Sequence, residues 1–325
     1  MSNVEIPSEL DSLSISQIRE LAVTVGPDES FIDRLAADSR AGVNALAKKL
    51  IRDRDKLTKQ SARQEELKAF ERKLRGEGFS CIAGVDEAGR GPLAGPVVAG
   101  AVILPEDVDL PGLDDSKKIP KAKREELFDL VTSQALYWGI GMVDNEEIDN
   151  TNILAAAMKA MRIAVKTMKK TPDIALIDGN RAAGSECRER TVIDGDARCL
   201  SIAAASIIAK VTRDRIMLDM DEMYPGYGFA GHKGYGAQSH IAAIAGKGPS
   251  DIHRLTFRVV TKVAPVGTVA SIMRRRLENA PSKKTFEAIV NSIARLREYM
   301  KRPDIEELRD VYRSCSERFS PSGGC

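Results

Sequence analysis

Four carboxylate side chains occupy positions in this sequence from which they could bind metal ions together. Asp86 and Glu87 follow one short apolar run, Asp178 follows another, and Asp196 lies just before a helix pattern rich in small residues. In an α/β sheet, such positions line a crevice at the strand ends. Adjacent acids repel each other unless a cation neutralises them. Carboxylate sets without histidine or cysteine suit Mg²⁺ or Mn²⁺ and not zinc.

The chemistry expected from such a set is displacement at phosphorus. Two cations about 3.5–4 Å apart can activate an attacking water and stabilise the leaving oxygen. Neither task needs a histidine nucleophile. A Gly-Arg-Gly turn at 89–91 follows the first acid pair, and its glycines allow the backbone to approach a ligand closely. The sequence therefore favours a metal-dependent reaction at a phosphate group.

Each acid also has an ordinary structural explanation. The adjacent pair could be solvated in an exposed hairpin, Asp178 fits a β-turn, and Asp196 fits the N-cap region of a helix. The two glycines of the 89–91 turn could belong to a dinucleotide loop, but another strand follows where that motif requires a helix. The coincidence of four acids with a glycine-arginine turn favours the metal site.

The composition indicates a globular protein without an overall charge excess. Of its 325 residues, 43% are hydrophobic and 30% are charged, and the net charge is +2. A nucleic-acid surface would therefore require local clustering of basic residues. The five cysteines form no CxxC pair, and no stretch resembles an export signal or a membrane span. We expect a reduced, cytoplasmic protein.

Apolar runs and helical periodicity predict the elements that would position the acids. Short strands are expected at 82–85, 97–104, 135–143, 174–177 and 191–193. Helices are expected at 121–132, 146–169, 200–223 and 239–245. The third strand contains Trp138, which we expect in the core. This order predicts a mixed sheet with helices packed on it.

Three regions are expected along the chain. Residues 1–75 predict a helical N-terminal accessory domain, and residues 79–262 predict the catalytic α/β domain. Residues 265–325 predict a helical C-terminal extension, which ends in a disordered tail at 320–325.

Local signals add detail to the two helical regions. Ser14 and Gln17 fit a capping box, and Gly26-Pro27 fits a helix break. A dense run of both charges occurs at 52–56, and basic residues occur at 274–276, 283 and 284. We expect solvated helix faces in both regions. Phosphate binding is the weaker alternative, through Lys48, Lys49, Arg52 and Arg54 in the first region and through the basic residues of the second.

The motifs as a set closely resemble those of bacterial ribonuclease HII. The first is Gly-Val-Asp-Glu-Ala-Gly-Arg-Gly-Pro-Leu-Ala-Gly-Pro-Val-Val at 84–98. The others follow in the order of that family, at 115–118, 147–153, 176–180, 195–197, 202–214, 232–235 and 252–257. The resemblance implies an RNase H-like fold, with a mixed five-stranded sheet flanked by helices. It covers roughly residues 79–262.

The same resemblance implies an activity. The family hydrolyses the RNA strand of RNA/DNA hybrids by a two-metal mechanism. It also nicks duplex DNA on the 5′ side of single embedded ribonucleotides, leaving 5′-phosphate and 3′-OH ends, and so removes misincorporated ribonucleotides. The implied partners are RNA/DNA hybrid and ribonucleotide-containing duplex DNA. We expect a monomer that does not bind a membrane.

Roles for individual residues are carried over from the resemblance. The catalytic acids, which would bind two Mg²⁺ or Mn²⁺ ions, would be Asp86, Glu87, Asp178 and Asp196. The ribose 2′-OH and the flanking phosphate would be read by Gly89, Arg90 and Gly91. Tyr235 would pack against the sugar on the 3′ side and help to sense the RNA-to-DNA junction. Only the 2′-OH distinguishes RNA from DNA at a given site.

Other residues in the motifs have weaker claims. Contacts with the nucleic-acid backbone are possible for Lys117, Lys118, Lys210 and Arg213, and Lys117 and Lys210 are the favoured pair. A solvated face remains the commoner location for such side chains. The three histidines lack metal-ligand spacing, and a structural hydrogen-bonding role suits them at least as well as catalysis.

Two alternatives remain open at this stage. Ribonuclease HIII, the sister family, has lysine where this chain has Arg90 and usually carries a sheet-containing N-terminal domain. The second alternative is a non-catalytic module that binds hybrids through a basic, glycine-rich groove. Such a module, however, gains nothing from four acids facing phosphate.

Overall fold

The computed structural model describes residues 10–25 and 28–319. The predicted break at Gly26-Pro27 and the predicted disordered tail at 320–325 lie outside the described residues. The chain divides into two compact units, with the boundary between Glu66 and Leu67. Each unit is described by itself. The predicted domain limits of 1–75, 79–262 and 265–325 stay predictions.

The first unit is helical. A 3-10 turn, Leu10–Ser12, precedes helices α1 (Ile15–Val25) and α2 (Glu29–Ala36), and α3 (Ala41–Gly76) continues past the unit boundary. The capping box is confirmed, because the Ser14 N–H donates to Gln17 Oε1 at 2.9 Å and the Gln17 N–H donates to Ser14 Oγ at 3.3 Å. The apolar faces of these helices form a small core of their own.

The second unit begins within α3 and alternates strands with helices. Its strands are β1 (Ile82–Ala88), β2 (Val97–Ile103), β3 (Tyr137–Val143), β4 (Ile174–Asp178) and β5 (Arg188–Val192). Its helices in this part of the chain are α4 (Lys121–Gln134), α5 (Asn145–Asn150), α6 (Ile153–Thr167) and α7 (Leu200–Met223). They are followed by α8 (Phe229–His232), α9 (Gln238–Lys247), α10 (Arg258–Val263), α11 (Thr268–Glu278), α12 (Lys283–Leu296) and α13 (Arg302–Ser316). Further 3-10 turns are Gly195–Ala197, Arg297–Tyr299 and Glu317–Phe319.

The strands of the described chain form one five-stranded mixed sheet in the order β3-β2-β1-β4-β5. The first three strands pair antiparallel, and β1-β4 and β4-β5 pair parallel. One face packs on the alanine-rich α6, and the other packs on α7 and α4. The predicted mixed sheet, with flanking helices and helical regions before and after it, is confirmed.

The predictions for one helix and for one strand side chain were wrong. The helix expected at 146–169 is interrupted at Thr151 and Asn152, because the Asn152 side chain accepts from the Ala155 N–H and caps α6 as a separate helix. Trp138 is not a core residue, since 39% of it is exposed. It lies on the edge strand β3, where its ring and that of Phe128 of α4 form a T-shaped pair with centroids 6.4 Å apart.

The C-terminal helices pack on the same unit through a buried ion pair. Arg276 of α11 lies 2.9 Å from the carboxylate of Asp149, and both side chains are buried. Asp149 also accepts from the N–H groups of Leu255 and Thr256, at 2.9 and 2.8 Å. The predicted solvated face for residues 274–276 is therefore wrong for Arg276. None of the helices in the described ranges combines the length and apolar character needed to cross a membrane.

Close packing of β1 on α7 makes a first stability prediction. A Cβ on Gly84 would lie only 2.1 Å from the backbone carbon of Ser201, so the substitution would force backbone to move and not merely the end of a flexible side chain. We expect Gly84→Ala to destabilise the fold by about 3 kcal/mol, at the upper end of the usual overpacking range. Urea unfolding would measure this. The control, Gly76→Ala, meets no atom within 4 Å and should lose much less stability.

Candidate active site

The parallel pairing of β1 with β4 brings two of the predicted acids to one sheet edge. Val85 is in register with Ile177, so Asp86 and Asp178, the next residue on each strand, end up side by side. Glu87 follows Asp86 on β1. Asp196 joins them from the 3-10 turn between β5 and α7.

Each acid has a local partner that fixes its orientation. The Glu87 N–H donates to Asp86 Oδ1 and the Gly195 N–H donates to Asp178 Oδ1, both at 2.7 Å. The other two acids face cations. Arg90 Nη1 lies 3.1 Å from Glu87 Oε1. Lys117 Nζ lies 3.4 Å from Asp196 Oδ2.

The electrostatics of the four acids show excess negative charge. Burial raises the pKa of Asp86 well above its usual range, and the carboxylates of Glu87 and Asp178 raise it further. Burial also raises the pKa values of Glu87 and Asp178, each with a contribution from a neighbouring acid. Arg90 and Lys117 therefore offset the repulsion only in part. A further cation near these oxygens would favour ionisation of all the acids.

The donor set fits a hard divalent cation. All the donors are carboxylate oxygens, which suit Mg²⁺ and Mn²⁺. Within residues 10–25 and 28–319, however, no three histidine, cysteine or acidic side chains are already arranged to hold a metal ion. Two of the acids instead point at Arg90 and Lys117. The chemistry of the site thus fits the predicted metals, and binding them would require these side chains to turn.

Two serines support the most buried acid. The side chain of Ser206 on α7 hydrogen bonds to Asp86. Ser116 Oγ lies 2.9 Å from Ser206 Oγ. An ionised carboxylate only accepts, so Ser206 donates to Asp86 and accepts from Ser116. Both serines stand in the family motifs, but their residue type alone did not indicate a role.

The glycine-arginine turn and Tyr235 are brought together, as their predicted roles require. Gly89 has φ +97°, a backbone conformation that other residues rarely adopt. A Cβ on Gly91 would lie 3.6 Å from Cε1 of Tyr235. Tyr235 is 44% exposed, and 54% of the Arg90 side chain is exposed. A ligand at the acids could therefore reach both side chains.

The lysines differ in their surroundings. Lys117 is 82% exposed and points at the acids. Lys210 pairs with Asp214 at 2.8 Å, and its Nζ lies 5.9 Å from the centre of the Tyr235 ring. Lys118 is exposed beside Asp115. Lys117 and Lys210 thus both border the candidate site.

The sequence suggested that Arg213 faces solvent or contacts the nucleic-acid backbone. The structure contradicts this suggestion. Arg213 is fully buried, and it donates to the carbonyl oxygens of Ala94, Pro96 and Lys233 at 3.0–3.1 Å. A buried guanidinium satisfies several carbonyls at once because it has five donors. Arg213 thus links the loop after the Gly-Arg-Gly turn to the loop that carries Tyr235.

Arg254 has a similar role that the sequence did not reveal. It is fully buried, and it donates to the carbonyl oxygens of Gly89, Arg90 and Gly95 at 2.6–3.0 Å. The motif at 252–257 contains Arg254, but nothing in its spacing indicated which group it would bind. The Gly-Arg-Gly turn is therefore held by a buried cation.

The three histidines cluster behind the Tyr235 loop. The rings of His232 and His240 stack with centroids 4.4 Å apart, and His240 Nε2 lies 3.0 Å from His253 Nε2. His240 and His253 are fully buried. The hydrogen-bonding role that the sequence suggested for histidines here agrees with these contacts.

Burial of His253 predicts a pH dependence of stability. Burial lowers the pKa of His253 from 6.5 to about 3, and His240 contributes to the shift. Between these pH values the unfolded chain binds a proton that the folded chain does not. The contribution of neutral His253 to stability is therefore present above pH 6.5 and is lost progressively as the pH falls below that value. On acidification from about pH 7.5 to about pH 5.5, we expect protonation of His253 in the unfolded chain to lower the free energy of unfolding by about 1.4 kcal/mol.

Urea unfolding at the two pH values would test this prediction. The matched variant is His253→Asn, whose side chain can still accept from the Ser250 N–H but does not titrate. Between the two pH values, the free energy of unfolding of this variant should fall by about 1.4 kcal/mol less than that of the wild type. An identical pH dependence in both proteins would contradict the assignment to His253.

Comparison with known proteins identifies the family. The family model described as Ribonuclease HII matches residues 83–260, and the model described as Ribonuclease HII N-terminal domain matches residues 14–75. The chain belongs to the ribonuclease HII family. It is therefore a ribonuclease H enzyme, a hydrolase. The N-terminal match and the helical first unit both argue against the sister family, which usually carries a sheet-containing N-terminal domain.

Individual relatives agree with this family. The Ribonuclease HII of Geobacter sulfurreducens is 56% identical over 191 residues, covering 59% of this chain and 88% of that protein. The Ribonuclease HII of Clostridioides difficile is 45% identical over 246 residues, covering 75% of this chain and 96% of that protein. Among solved structures, the ribonuclease H2 from Pyrococcus horikoshii OT3 is 27% identical with a TM-score of 0.49, covering 57% of this chain and 97% of that chain.

Proposed function

We propose that this ribonuclease HII hydrolyses the RNA strand of RNA/DNA hybrids and incises duplex DNA on the 5′ side of single embedded ribonucleotides. The products are 5′-phosphate and 3′-OH ends, and the role in the cell is removal of misincorporated ribonucleotides in the cytoplasm. The observation that carries the proposal is the meeting of four acids beside the Gly89-Arg90-Gly91 turn, whose last two residues are exposed, and beside an exposed Tyr235.

The four acids are the metal-binding groups in this proposal. Two Mg²⁺ or Mn²⁺ ions, when bound, supply a nucleophilic water and stabilise the leaving oxygen. Asp86 and Asp178 hold their carboxylates toward the same sheet edge, and Ser206 keeps Asp86 oriented. Glu87 and Asp196 complete the set when they release Arg90 and Lys117.

Recognition of the ribonucleotide falls to the neighbouring residues. Main-chain groups of Gly89 and Gly91 approach the 2′-OH, since neither residue has a side chain in the way. Arg90 can offer a planar fork of donors to a phosphate once it leaves Glu87. Tyr235 presents its ring to the sugar on the 3′ side. Lys117 and Lys210 attract the phosphate backbone from either side of the acids.

A nicking assay tests the proposal. The substrate is a labelled DNA duplex with one ribonucleotide, incubated with and without Mg²⁺ or Mn²⁺ beside an all-DNA duplex. We expect metal-dependent incision on the 5′ side of the ribonucleotide only. Cleavage restricted to long hybrids would contradict the proposed incision at single ribonucleotides. Salt-sensitive binding without cleavage would favour the binding-module alternative.

A further inference from the structure

All three histidines of the chain lie in one group of ring contacts, and none belongs to the proposed catalytic set. His240 and His253 are fully buried, and the ring of Phe229 packs against both with centroids 5.3 and 5.7 Å away. Hydrogen bonds connect this pair to backbone groups at both ends. Those partners determine where the protons are.

The proton positions follow from groups that can only donate or only accept. The Ser250 N–H donates to His253 Nδ1 at 2.8 Å, so this nitrogen carries no proton. The Tyr235 carbonyl only accepts, and His240 Nδ1 lies 2.8 Å from it, so that nitrogen carries a proton. Only one proton can lie between the two Nε2 atoms, which are 3.0 Å apart. His253 therefore donates it, and both rings are neutral.

This series of hydrogen bonds, from Ser250 through His253 and His240, ends at Tyr235. In the proposed function, Tyr235 contacts the sugar. His240 donates to the backbone carbonyl of Tyr235, a residue that is itself exposed. At its other end, His253 is followed in sequence by Arg254, which holds the carbonyls of Gly89 and Arg90. Both recognition elements are thus tied to the same short segment, Ser250 to Arg254.

We propose that His240 and His253 are positioning residues: as a neutral two-histidine relay from Ser250 to the Tyr235 carbonyl, they set where the Tyr235 ring meets the sugar and so help to determine specificity for the ribonucleotide junction. The inference rests on the proposed role of Tyr235. Its specific content is the direction of the relay, from the Ser250 N–H through His253 and His240 to the Tyr235 carbonyl.

Two substitutions at His240 separate the two ends of the relay. The amide of His240→Asn can take the place of Nδ1 and still donate to the Tyr235 carbonyl, but it no longer reaches His253. The longer His240→Gln reaches His253 and leaves the carbonyl without this donor. Each variant loses one of the two ring contacts, so their losses of thermal stability should be similar.

Steady-state cleavage of the single-ribonucleotide duplex gives the decisive comparison. We expect His240→Gln to raise KM about tenfold with kcat nearly unchanged, the size expected for one lost hydrogen bond that is used in binding. His240→Asn should stay within about twofold of the wild type. His232→Asn is the matched control from the same cluster, because the His232 ring bonds to Tyr227 and Gly234 and not to Tyr235.

The outcomes separate the relay from a structural role and from the proposed function. Equal KM values for the Asn and Gln variants would overturn the relay, as would loss of activity that merely follows loss of stability. Tyr235→Ala is measured in parallel. If Tyr235→Ala is impaired and His240→Gln is not, the relay alone fails. If Tyr235→Ala cleaves normally, both the relay and the role of Tyr235 fail, while metal-dependent nicking by the wild type would still stand.

A measurement on the wild-type protein covers the case in which a variant does not fold. Nitrogen-15 NMR of the histidine rings distinguishes the two neutral tautomers and the charged form. We expect the Nδ1–H tautomer for His240 and the Nε2–H tautomer for His253 at neutral pH. The same tautomer in both rings, or a charged ring in either, would overturn the relay.

Discussion

Replacement of Asp86 by asparagine is expected to lower metal-dependent cleavage by about a thousandfold or more, because loss of a metal-binding acid removes several kcal/mol of transition-state stabilisation. The same substitution should raise the thermal stability of the metal-free protein. Opposite effects on activity and stability are expected where an active site buries charge for its function, and here both would follow from the one carboxylate of Asp86.

The gain in stability follows from the charge on Asp86. Burial and the carboxylates of Glu87 and Asp178 raise the pKa of Asp86 in the folded protein. Between its usual pKa and this raised value, the folded chain binds a proton that the unfolded chain does not. Stability of the metal-free protein therefore falls as the pH rises through that range. Asparagine removes the charge but retains an oxygen that can accept from the Glu87 N–H.

Melting temperatures with and without Mg²⁺, measured beside the cleavage rate, test both parts. The wild type should gain stability from Mg²⁺, and Asp86→Asn should gain much less. Asp129→Asn on the exposed face of α4 makes the same charge change away from the site and serves as the control. If Asp86→Asn cleaved normally, or lost stability at neutral pH without metal, the assignment of Asp86 would be wrong.

The sheet and the positions of the acids were predictable because each depends on local patterns. The apolar run at 174–177 is β4, and Asp178 ends it. The helix expected at 200–223 is confirmed as α7, where small residues such as Ala203 to Ala205 pack against the sheet. Strand-end acids follow from such runs, since the chain must leave the core there. Periodicity thus sufficed for the elements that carry the candidate site.

The supports of the site were not predictable in the same way. The sequence favoured a surface position for Arg213 and gave Arg254 no role, because a buried arginine without a carboxylate partner is rare and depends on carbonyls distant in sequence. Trp138 was assigned to the core because a strand pattern does not reveal which strand will be at the edge. The tautomers of His240 and His253 required the positions of their partners.

The second large effect is expected from Arg254, which contacts no substrate in the proposed function. Methionine has a similar length and no donors, so Arg254→Met leaves the carbonyls of Gly89, Arg90 and Gly95 without their buried partner. Burial lowers the pKa of Arg254 to about 9, so the wild-type side chain is still charged at neutral pH. We expect a loss of about 3 kcal/mol in stability, since hydrogen bonds to charged groups contribute about 1.5–3 kcal/mol each.

Cleavage should fall by more than instability explains. A displacement of about 1 Å in a recognition loop can cost about a hundredfold in rate, and Arg254 holds two of the three residues in the Gly-Arg-Gly turn. The assay is cleavage of the single-ribonucleotide duplex at a temperature where circular dichroism shows the variant to be folded. Arg258→Met removes an exposed arginine four residues away and should be close to wild type.

Arg254→Lys distinguishes charge from geometry at this position. Lysine keeps a positive charge, but its single ammonium group cannot reproduce the fork that reaches three separate carbonyls. If the buried charge alone mattered, the lysine variant would cleave like the wild type, and the positioning role of the guanidinium would be refuted. We expect it to recover part of the stability and little of the activity. In the proposed function, Arg254 holds the carbonyls of the turn so that its main-chain groups can meet the 2′-OH.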